Sequence, residues 1–94
     1  MKIEIAAEAV DDIANALDYV SARSEQAAER LRARIVEMMH RLANRDFEGP
    51  EDVLIGDGRA RSWRVGAYRI YYQRIDDVFR VLRVYHHARR PIVK

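Results

Sequence analysis

The chain has 94 residues, with 17 basic and 15 acidic side chains for a formal net charge of +2, and no cysteine. A length of this order supports one modest core burying roughly 60 to 65% of the unfolded surface, so residues 1–94 are expected to form a single domain. The lack of cysteine excludes a disulfide scaffold, a thiolate metal site and a thiol nucleophile, and no apolar run, leader or lipidation signal points to a membrane; a soluble, cytoplasmic protein is expected.

The first element in chain order is "KIEIA", residues 2–6, whose alternation predicts a short strand with Ile3 and Ile5 on one face. "AEAVDDIANALDYVSAR" then switches to helical period, with Val10, Ile13, Ala14, Leu17 and Val20 as the apolar stripe and Asp11, Asp12, Asn15 and Asp18 mainly away from it. Ser21 and Ser24 bracket a break, and Ser24 is the natural N-cap of a second helix over about residues 25–44. Its buried face reads Ala28, Leu31, Ile35, Met38 and Leu42. Opposite lie Arg30, Arg34, Glu37 and Arg41, a solvated face on which Glu37 can pair with either neighbouring arginine. The two helices form an antiparallel hairpin.

"NRDFEGPEDVLIGDGR", residues 44–59, punctuates the chain with Gly-Pro and two further glycines, and Val53, Leu54 and Ile55 cover a sheet edge or add a brief strand. Three strand patterns follow. Residues 59–66 put Arg61, Trp63 and Val65 on one side and Ser62 and Arg64 on the other; residues 67–75 alternate Tyr68, Ile70 and Tyr72 against Arg69, Tyr71 and Gln73. Residues 78–87 are apolar on both faces, Phe79, Val81 and Tyr85 against Val78, Leu82 and Val84, which suits a central strand. Val65-Gly66-Ala67 and Asp76-Asp77 make the reversals. The expected fold is α+β: an N-terminal strand, an antiparallel two-helix hairpin, then a three-stranded antiparallel meander.

Charge is distributed unevenly over these elements. Residues 1–47 carry seven basic and nine acidic groups, and residues 48–94 ten and six. Acids vanish from residues 59–75 and again from residues 78–94, and only two of the 17 basic residues are lysine. The planar arginine fork suits carboxylate and phosphate, so an anionic partner is expected for this half.

Chemistry-bearing motifs are few. His40, His86 and His87 are the only histidines, and neighbours on a strand point to opposite faces, so no metal site is expected. "GDG" and "VGA" carry no phosphate-loop lysine or dinucleotide fingerprint, and no nucleophile elbow occurs; no cofactor is expected. Metal-free RNA cleavage needs a proton acceptor, a proton donor and cations around the phosphorane. Arg61, Arg64, Arg83, Tyr85, His86 and His87 are the residues that could supply them, with help from Arg69, Tyr71 or Tyr72, although a histidine ending a strand more often packs or binds than catalyses.

The order and spacing of "AAEAVDDIANALDYV", "AAERLRARIVEMMHRLA" and "RSWRVGAYRIYYQRIDDVFRVLRVYHHARRPI" resemble the ParE branch of the RelE/ParE superfamily, toxins of bacterial type II toxin–antitoxin modules. The resemblance spans essentially the whole chain. It implies a helix hairpin on a twisted antiparallel sheet, and a cognate antitoxin whose disordered, often acidic C-terminal segment wraps the toxin in a hetero-oligomer. Operator DNA would then be touched only through the antitoxin. Antitoxin-binding candidates are Arg61, Arg64, Arg69, Tyr71, Arg80 and Arg83. RelE-like members cleave mRNA on the ribosome with a lysine-rich central region, whereas ParE-like members inhibit DNA gyrase. No lysine stands between Lys2 and Lys94, and the "H-x-A-R" ending from His86 to Arg89 favours the non-catalytic gyrase inhibitor; His87 and Arg90 depart from the usual ParE residues. Under that resemblance His86, His87, Arg89 and Arg90 are the target-binding candidates.

Overall fold

The computed structural model describes residues 1–54 and 58–87. Strand β1 (Lys2–Ile5) leads into helices α1 (Ala7–Ser21) and α2 (Glu25–Ala43), followed by strands β2 (Glu51–Leu54), β3 (Gly58–Val65), β4 (Tyr68–Ile75) and β5 (Val78–His86). The five strands form one sheet in the order β1-β5-β4-β3-β2. This is the expected α+β architecture with two refinements. Residues 51–54 form a true edge strand that pairs with β3, and β1 runs parallel to β5, so the sheet is mixed. Parallel pairing follows from the alternation of the later strands: β2 runs opposite to β1, and the successive reversals through β3 and β4 bring β5 back to the direction of β1. Ile55 lies outside the described residues.

Local chemistry fixes the joints. Ser24 Oγ accepts the Ala27 amide at 3.1 Å and caps α2, as its sequence position predicts. Asp76, at φ 55°, turns β4 into β5, and Gly66, at φ 59°, turns β3 into β4. At the far end of α2 the Arg45 amide donates to the Leu42 carbonyl at 3.1 Å and the Asp46 amide to the Arg41 carbonyl at 3.0 Å. This double bond pattern ends helices at a left-handed residue, usually glycine. Here that residue is Arg45, at φ 63°. An L side chain in this conformation costs about 1 kcal/mol relative to glycine. Arg45→Gly is therefore expected to raise the thermal midpoint by about 4 °C or more, read by circular dichroism; an unchanged or lower midpoint would contradict the cap.

The helices cover one sheet face. Ala9 and Ala16 of α1 and Ile35, Met39 and Leu42 of α2 pack on Val65, Ile70, Tyr72, Phe79, Val81 and Val84. Each fully buried large apolar side chain contributes about 1.5 to 3 kcal/mol. The α2 face agrees with its periodicity, and Arg30, Arg34, Glu37 and Arg41 are exposed, although Arg41 pairs with Asp46 rather than along the helix. The α1 face is rotated from expectation. Ile13, Leu17 and Val20 are partly buried as expected, but Val10 and Ala14 are exposed, and the buried residues are Ala9 and Ala16, with the partly buried Asp12 beside them. Small alanines let the helix approach the sheet closely, which the larger Val10 would prevent.

β5 also departs from simple alternation. Its pairing with β4 shifts by one residue between Tyr71 and Tyr72, so that Leu82 and Arg83 together oppose Tyr71. This bulge exchanges the faces beyond it: Phe79, Val81 and Val84 join the helix-side core, whereas Leu82 and Tyr85 join Tyr71 and Ala60 in a second cluster on the other face. The expected grouping of Tyr85 with Phe79 and Val81, and of Val84 with Leu82, is corrected by that one extra residue.

Candidate functional site

Among the described residues, two hollows are lined by charged and aromatic side chains. The first, about 590 Å³, lies where α1 crosses the end of β5, and its wall includes Asp12, Tyr19, Tyr68, Arg83, Tyr85 and His86. Its position follows from β1 being short. The backbone pairing of β1 with β5 ends with the Ala6 amide donating to the Val81 carbonyl, after which no strand among the described residues lies beside the outer edge of β5. Asp12 closes that edge with its side chain. One carboxylate oxygen accepts the Val84 amide at 3.0 Å and Arg83 Nε at 2.8 Å, and the other accepts Arg83 Nη2 at 3.0 Å. The pair is mostly shielded, with side-chain exposures of 14% for Asp12 and 31% for Arg83. The hydrogen bonds with Asp12 raise the Arg83 pKa above the ordinary arginine value, against desolvation, with lesser help from the charges of Asp12, Tyr85 and Glu8. Arg83 thus stays charged, and through its own titration the pair loses stability in strongly alkaline solution, as pH rises through a value above that of free arginine.

Aromatic rings line the rest of this hollow. His86 stands edge-on to Tyr68 with centroids 5.2 Å apart, and the Arg83 guanidinium lies 4.6 Å from the Tyr85 ring centre. Tyr19, on the exposed face of α1, stacks with Arg23 at 5.1 Å. His87 follows the strand end, and its amide donates to the Ala67 carbonyl at 2.6 Å. The surface combines an aromatic lining with a neutralised ion pair, a composition suited to holding a partner's side chain.

The second hollow, about 360 Å³, is built around the other end of β4 and the loop after α2, and includes Arg45, Glu48, Arg59, Arg61, Gln73 and Arg74. The bare backbone of Gly49 makes this corner possible. Its amide donates to Tyr72 Oη at 2.9 Å, its carbonyl accepts Arg61 Nη1 at 2.7 Å, and a β-carbon there would stand 1.8 Å from the Ser62 carbonyl oxygen. Arg74 continues the Tyr68, Ile70 and Tyr72 row into the core. Its guanidinium lies against Tyr72 and Phe79, pairs with Glu48 and caps the Leu42 carbonyl at the end of α2.

The sequence candidates are thus divided. Arg83, Tyr85 and His86 share the first hollow, and Arg61 belongs to the second. Two strand spacings, about 10 Å, separate the backbones of Arg61 and Arg83. Arg64 is exposed and folds back on the Gly66 carbonyl, Arg69 donates to Ser62 Oγ at 3.1 Å, and Arg80 is exposed. Tyr71, 1% exposed, is a core residue of the far sheet face. Arg89 and Arg90 lie outside the described residues. Sequence reasoning missed Asp12, Gly49, Glu48 and Arg74. Among the described residues no three His, Asp or Glu side chains come together in a way that could hold a metal ion, and no helix is long and apolar enough to cross a membrane.

A helix hairpin on one face of a mixed sheet, with arginine-rich strands and an aromatic seam at the end of β5, defines a small α+β domain. A family model described as "ParE toxin of type II toxin-antitoxin system, parDE" matches residues 3–91, and the chain belongs to that family. A chain of the chromosomal ParDE toxin–antitoxin system from P. aeruginosa superposes with a TM-score of 0.73 at 18% identity, covering 92% of this chain and 95% of that one. At such identity the likeness is one of fold. A comparison with curated proteins gives no match.

Proposed function

We propose that this toxin acts by binding DNA gyrase and trapping its cleaved-DNA intermediate, without catalysis of its own, and that a cognate antitoxin neutralises it in the cytoplasm. The division of the cationic and proton-transfer side chains carries this reading. RNA cleavage through a phosphorane needs a cation, an acid and a base around one phosphate. Arg83 is committed to Asp12, and Arg61 turns away toward Gly49 and Glu48. What remains at the end of β5 is an aromatic and histidine surface, better matched to an interface than to phosphoryl transfer. His86 and His87, with Arg89 and Arg90 beyond them, are the gyrase-facing residues in this reading. The exposed arginines, Arg64 and Arg80 above all, offer an acidic antitoxin segment its charge complement, and ordering of that segment on binding would yield a hetero-oligomer that reaches operator DNA only through the antitoxin.

Purified toxin incubated with gyrase, ATP and relaxed plasmid is expected to abolish supercoiling or to accumulate cleaved DNA, and programmed ribosomes are expected to keep their mRNA intact. Codon-linked mRNA cleavage with unaffected gyrase would overturn the proposal. His86→Ala is expected to weaken gyrase inhibition by about tenfold, the effect of removing an interface anchor, whereas a catalytic role predicts a loss of about 100-fold or more in ribosomal cleavage with antitoxin binding retained.

A further inference from the structure

We propose that the second hollow, between the loop after α2 and the ends of β3 and β4, is a binding site for a phosphate-class dianion. Four arginines, Arg45, Arg59, Arg61 and Arg74, line it with two glutamates, Glu48 and Glu51. Glu51 pairs with Arg59 at 2.7 Å, while Glu48 serves both Arg61, at 3.4 Å, and Arg74. Two positive charges are left over, and donors outnumber acceptors. The same surplus reaches into the wall, where the Arg74 side chain is 8% exposed and its Nε is buried without a hydrogen-bond partner among the described residues.

Arg45 supplies a separate indication. It occupies a helix-ending position whose left-handed backbone favours glycine, and it lines the hollow. A side chain kept there against backbone preference is explained by what that side chain binds. A phosphate monoester carries about −1.5 to −2 charges near neutral pH and three acceptor oxygens, which matches the leftover charge and the forked donors. A single carboxylate matches less well, because Glu48 and Glu51 already provide two. The hollow is wide enough for inorganic phosphate or for the terminal phosphate of a nucleic acid strand.

The test uses the purified full chain, titrated with inorganic phosphate against chloride at matched ionic strength and followed by thermal midpoint and by the arginine Nε–H resonances. A saturable midpoint rise of several degrees is expected with phosphate and not with chloride, with the Arg45, Arg59 and Arg61 signals shifting together. Arg45→Gly should weaken phosphate binding about tenfold while leaving the unliganded protein folded and more heat-resistant, which separates lost binding from lost structure. Arg59→Ala serves as the second variant. Competition by a 5′-phosphorylated oligonucleotide, but not by its unphosphorylated counterpart, would support the site with a strand end as source; phosphate binding with no competition would support it with free phosphate as source. The inference is overturned if phosphate acts no differently from chloride, if both variants bind as the parent does, or if an acidic peptide binds here and phosphate does not.

Discussion

Asp12→Ala is expected to lower the unfolding free energy by about 2 to 3 kcal/mol, seen as a lower urea midpoint with an unchanged slope. The substitution strands two donors together: the Val84 amide, at an edge with no neighbouring strand among the described residues, and the Arg83 guanidinium. Removing one partner of a fully buried pair costs about 3 to 5 kcal/mol; partial solvent access to Arg83 lowers the figure. Asp12→Asn separates the contributions, since its amide oxygen can still accept the Val84 amide while the charge is gone, and a loss of about half is expected. A midpoint for Asp12→Ala within 0.5 kcal/mol of the parent would refute the idea that this carboxylate seals the edge of β5. The same variant frees Arg83. If that release confers mRNA cleavage on the ribosome, the commitment of Arg83 to Asp12 is what separates this toxin from a nuclease.

Gly49→Ala is expected to be more damaging, by about 3 kcal/mol or more, with much of the protein insoluble on expression. The added methyl group would lie far inside the van der Waals contact distance to the Ser62 carbonyl oxygen, a backbone atom with nowhere to go because the Ser62 amide is itself bound to the Pro50 carbonyl at 3.1 Å. Relief requires the loop to lift from β3. That movement breaks the Gly49 bonds to Tyr72 and Arg61, so overpacking and lost hydrogen bonds add. A soluble, fully folded Gly49→Ala protein with the parent's midpoint would show that the corner is looser than its distances imply.

Much of this architecture is legible in the sequence because it rests on local rules. The Ser24 cap, the Asp76 turn and the Tyr68, Ile70, Tyr72 alternation are each decided within a few residues, and each appears where the pattern puts it. Features set by distant partners are not. Asp12 reads as a polar residue away from the apolar stripe of α1, and the shortness of β1 leaves the β5 edge open for it. The expected α1 stripe holds in part at Ile13, Leu17 and Val20 and fails at Val10 and Ala14, because large apolar residues outweigh alanines in a periodicity count, although close helix-to-sheet packing selects Ala9 and Ala16. Gly49 reads as half of a turn dipeptide, and nothing nearby announces the carbonyl of Ser62. Arg74 did leave a trace: a charged residue on the core-facing parity of β4 signals a buried partner, which proves to be Glu48 and the end of α2. The candidate site was half legible for the same reason. Residues contiguous on β5 were found together, whereas the hollow joining three segments was not.

The bulge in β5 bears on how this strand is matched to others. Pairing on each side of Leu82 is regular, so the strand behaves as two rulers joined with a slip of one graduation. A relative with a straight strand, counted without a gap from Val81, would have its Tyr68-facing residue fall against Tyr85 instead of His86. The one-residue gap belongs inside the strand, at Leu82, and not in the loops where gaps are customarily placed. Identity at the last positions of β5 is therefore evidence of a shared role only when the count is restarted on the far side of that joint.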